Sequence, residues 1–102
     1  MTALTSKQKQ FLKGLAHPLT PIVRVGKGGV TDGVVRETKG ALAAHELIKV
    51  RLDIDEPAAR KAAAEALAQS TDAHLAGTVG KIAILYRERD EEPEIRLPQG
   101  GN

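Results

Sequence analysis

The four residues Gly26-Lys27-Gly28-Gly29 are the part of this 102-residue chain best suited to chemistry with an anion. Glycines permit positive φ and carry no Cβ to hold a phosphodiester at a distance. Backbone N–H groups in such a loop can meet phosphate oxygens. A helix beginning just after the loop would add the partial positive charge of its N-terminus. Lys27 supplies a mobile full charge. A plain glycine turn between a strand and a helix has the same composition, so the loop alone leaves both readings open.

The other chemistry-bearing residues point nowhere in particular. The chain has no cysteine, which removes disulfides, thiolate metal sites and a cysteine nucleophile together. His17, His45 and His74 lack metal-ligand spacing, so no metal site is expected. Ser6 and Ser70 stand in no nucleophile motif. The carboxylates gather at 53–56 and 88–94, where they read as a helix start and a solvated tail rather than a general acid/base pair. No catalytic residue and no cofactor is expected. The loop lacks the GxxxxGK[ST] spacing of a P-loop, and Thr31 stands where the third glycine of GxGxxG would be.

Charge gives the loop a context. Residues 1–51 hold nine Lys/Arg against three Asp/Glu, and residues 52–102 hold six against ten, within a net charge of +2. A basic half on a small domain suggests a polyanionic partner. Lys7, Lys9, Lys13, Arg24, Lys27, Arg36 and Lys39 lie on the first two helices, the strand between them and the loop, and are expected to form one surface flanking it. Lys49 and Arg51 share a strand face and are weaker candidates. With Phe11 and Tyr86 as the only aromatics, stacking platforms of the RRM or OB type are excluded as the main mode. Backbone and shape recognition is what remains, and a GxxG loop that clamps the backbone is the device of KH-type domains.

The elements that must position these residues follow from local patterns. Thr5-Ser6-Lys7-Gln8 fits a capping box and starts a helix over about 5–16, with Phe11, Leu12 and Leu15 as an apolar stripe. Pro18 and Pro21 end it. Ile22–Val25 reads as a strand. Thr31 or Asp32 caps a second helix to about Ala44, with Val30, Val34, Thr38, Ala41 and Leu42 on its buried side. Ile48–Ile54 alternates as a strand. Asp55-Glu56-Pro57 opens a third helix to Gln69. His74–Val79 and Ile82–Arg87 make a hairpin about Gly80-Lys81. Residues 88–102 read as a mobile tail. The order α-β-α-β-α-β-β predicts a single compact α/β domain with a mixed four-stranded sheet. The domain is expected over 1–98, with a disordered end at 99–102. No apolar run approaches the roughly 20 residues that cross a bilayer, and no signal peptide is evident. A cytoplasmic, monomeric protein is expected.

Taken together, Leu4–Leu19, the Val25–Gly29 loop, His45–Val50, and Val79-Gly80-Lys81 with Leu85-Tyr86-Arg87 resemble the YhbY family of bacterial CRM-domain proteins, over about residues 4–98. The resemblance implies a fold similar to the C-terminal domain of translation initiation factor three. It also implies RNA binding and association with precursors of the large ribosomal subunit. It places the family's GxxG motif on Gly26–Gly29 and its basic helix positions on Lys7, Lys9 and Lys13. Two alternatives stay open. One is a protein-interaction module of the assembling ribosome. The other is a general RNA chaperone or intron-splicing type of RNA binder. A small RNA-cleaving enzyme would need a base or metal site that the sequence does not offer.

Overall fold

The computed structural model describes residues 3–99; residues 100–102 of the expected disordered end lie outside the described residues. Seven elements run α1 (Ser6–Ala16), β1 (Val23–Val25), α2 (Asp32–His45), β2 (Leu47–Leu52), α3 (Pro57–Ser70), β3 (His74–Val79) and β4 (Ile82–Tyr86). This is the expected order. Each helix begins on the cap its sequence encodes. The Gln8 N–H donates to Thr5 Oγ1 at 3.1 Å while the Thr5 N–H donates to Gln8 Oε1 at 3.0 Å. The Val34 N–H donates to Thr31 Oγ1 at 3.2 Å. Glu56 caps α3, with Pro57 in the first turn. Such caps are each worth about 1 kcal/mol.

The strands form one sheet in the order β1-β2-β4-β3. β1 runs parallel to β2, and β4 is antiparallel to both β2 and β3. The period-two alternation sorts the side chains onto two faces. Val23, Val25, Ile48, Val50, Leu52 and Leu85 point to the face covered by α2 and α3, where Leu42, Ala64 and Leu67 meet them. On the other face Leu47, Ile84, Tyr86 and Ala76 pack under Leu12 and Ala16 of α1. The alanines of α3 keep that layer thin enough for close approach to the sheet.

Two expectations are corrected. The stripe Phe11, Leu12, Leu15 is only one-third buried. Leu12 is inaccessible, but Phe11 and Leu15 are exposed and Ala16 takes the second contact. The helix is seated through the i, i+4 pair Leu12/Ala16, which turns the parallel pair Phe11/Leu15 to its flank. The tail, as far as Pro98, is docked rather than loose. Ile95 and Leu97 pack against the α1-side core, and Gln8 Nε2 donates to the Pro98 carbonyl at 3.0 Å.

Glu46 holds that tail. It lies between α2 and β2 with φ +61° and is buried. Its carboxylate accepts backbone N–H bonds from Arg89 (2.9 Å), Glu94 (2.8 Å) and Ile95 (2.9 Å). Its own carbonyl accepts from the Arg87 N–H at 2.9 Å. Burial pushes the Glu46 carboxyl up, but the three backbone donors and the Arg89 charge outweigh it and hold the group below its ordinary value.

Candidate nucleic-acid interface

The Gly26–Gly29 loop sits where β1 ends and α2 begins, at the carboxyl end of the parallel pair. It is a tight turn, with the Gly29 N–H donating to the Gly26 carbonyl at 3.0 Å. Gly29 has φ +76°, the left-handed region, so the backbone favours glycine there. Gly26 and Gly28 are different. Their φ is not positive, and a Cβ built on Gly26 meets nothing within 4 Å, while one on Gly28 meets only Thr31 Cγ2 at 3.9 Å. The fold does not need glycine at either place. Two bare positions beside an exposed Lys27 suit a ligand that must approach the main chain. The N–H of Gly29 is spent on the turn. Asp32, in the first turn of α2, offsets part of the positive helix end.

Three guanidinium groups surround this corner. Arg36 reaches back along α2, placing Nη2 4.0 Å from a Cβ built on Gly33. Arg24 on β1 and Arg51 on β2 are direct neighbours in the parallel register. Both pair with Asp53, at 2.9 and 2.7 Å. The Asp53 N–H donates to the Val25 carbonyl at 2.8 Å, which fixes this carboxylate at the foot of the loop. The Arg51 hydrogen bond holds the Asp53 carboxyl below its ordinary value, with the Arg24 charge adding to it. Asp53 therefore keeps two like charges side by side. Nearby, Lys81 Nζ bonds Asp55 at 2.8 Å.

The lysines of α1 do not join this group. Lys9 and Lys13 line a groove along β3, opposite Lys61 and Glu65 of α3. The Lys13 stem lies across Gly77, where a Cβ would collide with Lys13 Cε. β3 and β1 are opposite edges of the sheet, three strand spacings or about 14 Å apart. Lys7 lies on the first turn of α1, beside the Gln8 contact to the tail. Lys39 is exposed on α2, one turn beyond Arg36. Lys49 donates to the His17 carbonyl at 3.1 Å and so tethers the end of α1. The expected single basic surface thus resolves into a loop corner and a separate lysine groove. Sequence reasoning ranked Arg51 low and passed over Lys61 and Asp53. Alternation along β2 placed Arg51 on the polar face, but pairing with Arg24 is a fact of register. Among the described residues there is no cluster of three or more potential metal ligands.

Residues 4–87 match the CRS1/YhbY (CRM) domain profile. The chain belongs to the CRM domain family. It is 46% identical to a Haemophilus influenzae protein named "RNA-binding protein", over 97% of this chain and 99% of that one. It is 44% identical to the Bacillus subtilis "Probable RNA-binding protein YqeI", over 93% and 99% respectively. The solution structure of a hypothetical protein from Staphylococcus aureus superposes with a TM-score of 0.84 at 38% identity, covering 93% of this chain and 99% of that one. In this CRM domain the docked segment after Tyr86 begins where the family match ends.

Proposed function

We propose that the protein binds RNA through the Gly26–Gly29 loop and its arginine corner, without catalysis, and that its RNA is precursor large-subunit ribosomal RNA in the cytoplasm. The observation that carries the binding site is the pair of sterically unneeded glycines, Gly26 and Gly28, beside Lys27 and three guanidinium groups. The names of the relatives support RNA as the polymer, and the family resemblance supports the ribosomal precursor as its setting. Gly26 and Gly28 leave the backbone open to a phosphodiester. Lys27, Arg24 and Arg36 neutralise phosphates, and Lys39 adds longer-range attraction. Lys9, Lys13 and, at the far end of α1, Lys7 contact the RNA elsewhere. A monomer so equipped would hold an RNA junction until later proteins bind.

The test is RNA binding by the double variant Lys27→Asp, Gly28→Asp, with the melting temperature as a control on folding. Undiminished affinity refutes the loop as the contact. Crosslinking in cells tests the ribosomal part: reads concentrated on one region of precursor large-subunit RNA support it, and reads spread over messenger RNA refute it.

A second reading has one observation in its favour. Leu15, Leu19 and Ile22 are exposed and line an apolar groove with Leu47 and Ile95. Apolar side chains gathered on a surface favour a protein contact. If the protein stays with its partners after nuclease treatment of an extract, that groove, rather than the loop, dominates the association.

A further inference from the structure

The loop corner and the lysine groove lie at opposite edges of the sheet, and the register shows what lies between them. Arg24 pairs with Arg51, Arg51 with Ile82, and Ile82 with Val79. These four residues form one row across all four strands, nearest the loop. Cross-strand partners share a face, and theirs is the face on which α1 lies. α1, however, packs one row or more away, on Leu47, Ile84, Tyr86 and Ala76. The row is left open. The side chains of Arg24 and Arg51 are 69% and 46% exposed, Val79 is 65% exposed, and Ile82 is half-buried. Val79 is the most exposed large apolar residue among the described residues.

We infer that this row is a shelf for single-stranded RNA, leading from the glycine loop to the Lys9/Lys13 groove. The inference rests on the RNA-binding reading and extends it to a ligand class and a path. Arg24 and Arg51 share one Asp53 carboxylate, with Glu37 of α2 lining the same depression at the sheet edge, and the two exposed guanidinium groups of this half of the row face phosphates. Ile82 and Val79 form the other half. They offer aliphatic contact to bases and sugars in a protein with almost no aromatics. Beyond Val79, Lys13 lies over Gly77 and returns the path to positive charge. The alternation basic, apolar, basic over about 14 Å suits an unpaired strand, whose bases are free to turn toward the sheet. A duplex keeps its base faces stacked and leaves Ile82 and Val79 without a base face to contact.

The experiment is a fluorescence-anisotropy titration of a labelled, unstructured oligouridine with the full chain at several salt concentrations. Each phosphate contact on a single strand contributes a slope of about 0.7 to the dependence of log affinity on log salt, or about five-fold in affinity near 0.1 M. Arg51→Gln is expected to weaken binding about five-fold and reduce the slope by about 0.7. Val79→Glu, at an exposed site, is expected to weaken binding by a similar factor, and Val79→Leu to keep it. If Arg51→Gln is unstable, the Val79 pair decides alone. Wild-type affinity in Arg51→Gln and Val79→Glu overturns the shelf. So does tight binding of a hairpin with none of the oligouridine. In either case, lost binding in Lys27→Asp, Gly28→Asp shows that the RNA reading survives. If that variant also binds normally, both fail.

Discussion

The glycine loop and the Glu46 corner are both short connections at an end of α2, and they are built on opposite terms. At Glu46 every polar group of the residue itself is used. One carboxylate takes three backbone N–H groups, and the residue's carbonyl takes a fourth. At the loop a single internal hydrogen bond closes the turn, and two of the glycines touch almost nothing. A buried carboxylate left short of partners costs several kcal/mol, so the Glu46 corner is satisfied from within. The loop has unspent surface, which is the condition for satisfaction from outside. Stability is concentrated at one end of the helix and the proposed binding at the other.

Substitutions should separate the two. Glu46→Ala leaves three N–H groups without their charged acceptor and is expected to cost about 3 kcal/mol in urea unfolding, with RNA affinity of the folded fraction unchanged. Glu46→Gln keeps an acceptor and should cost about half of that. The Lys27→Asp, Gly28→Asp variant should show the reverse. RNA affinity falls on the order of a hundred-fold near 0.1 M salt, because one charge reverses and one appears, lowering the net charge at the contact by three units, while melting stays within about 0.5 kcal/mol of wild type. A loop variant that melts early, or a Glu46 variant that melts normally, would break the comparison.

The effect of pH sharpens it. The folded Glu46 carboxyl is depressed, so its contribution is complete above the ordinary glutamate range and is lost as pH falls through its lower folded value. Wild-type stability is therefore expected to decline on acidification, and Glu46→Gln should show a shallower decline in the same titration. The smallest effects lie within the loop itself. Gly29→Ala forces a Cβ into the left-handed region and should cost about 1 kcal/mol. Gly26→Ala should instead gain about 0.5 kcal/mol from a stiffer unfolded chain. Differential scanning calorimetry distinguishes the two.

Local chemistry made most of the fold legible. Thr5/Gln8 and Thr31 are caps readable within four residues, and the alternation from Ile48 to Leu52 needs no knowledge of the partner strand. The loop was legible because its glycines fall between a strand and a cap. What escaped was set by partners far along the chain. Nothing near Glu46 in sequence announces that residues 89, 94 and 95 will close on it, so a charged segment read as loose is in fact bound. The flank position of Phe11 and Leu15 follows from which i, i+4 pair meets the sheet. The split between the α1 lysines and the loop follows from strand order, because charge counted along a chain carries no information about which edge each residue will occupy.

The strand order also bears on when the protein becomes competent. β4 is made last and fills the place between β2 and β3. Until Tyr86 is available, β2 has only the three-residue β1 beside it, and β3 has no partner. The glycine loop is encoded early, yet the sheet that anchors it is completed by the final strand and locked by the segment that closes on Glu46. Assembly of this kind depends on contacts between distant parts of the chain. A nascent chain cut short before β4 would carry the whole loop sequence without the support that shapes it, so the proposed recognition waits on the strand that joins the two halves of the sheet.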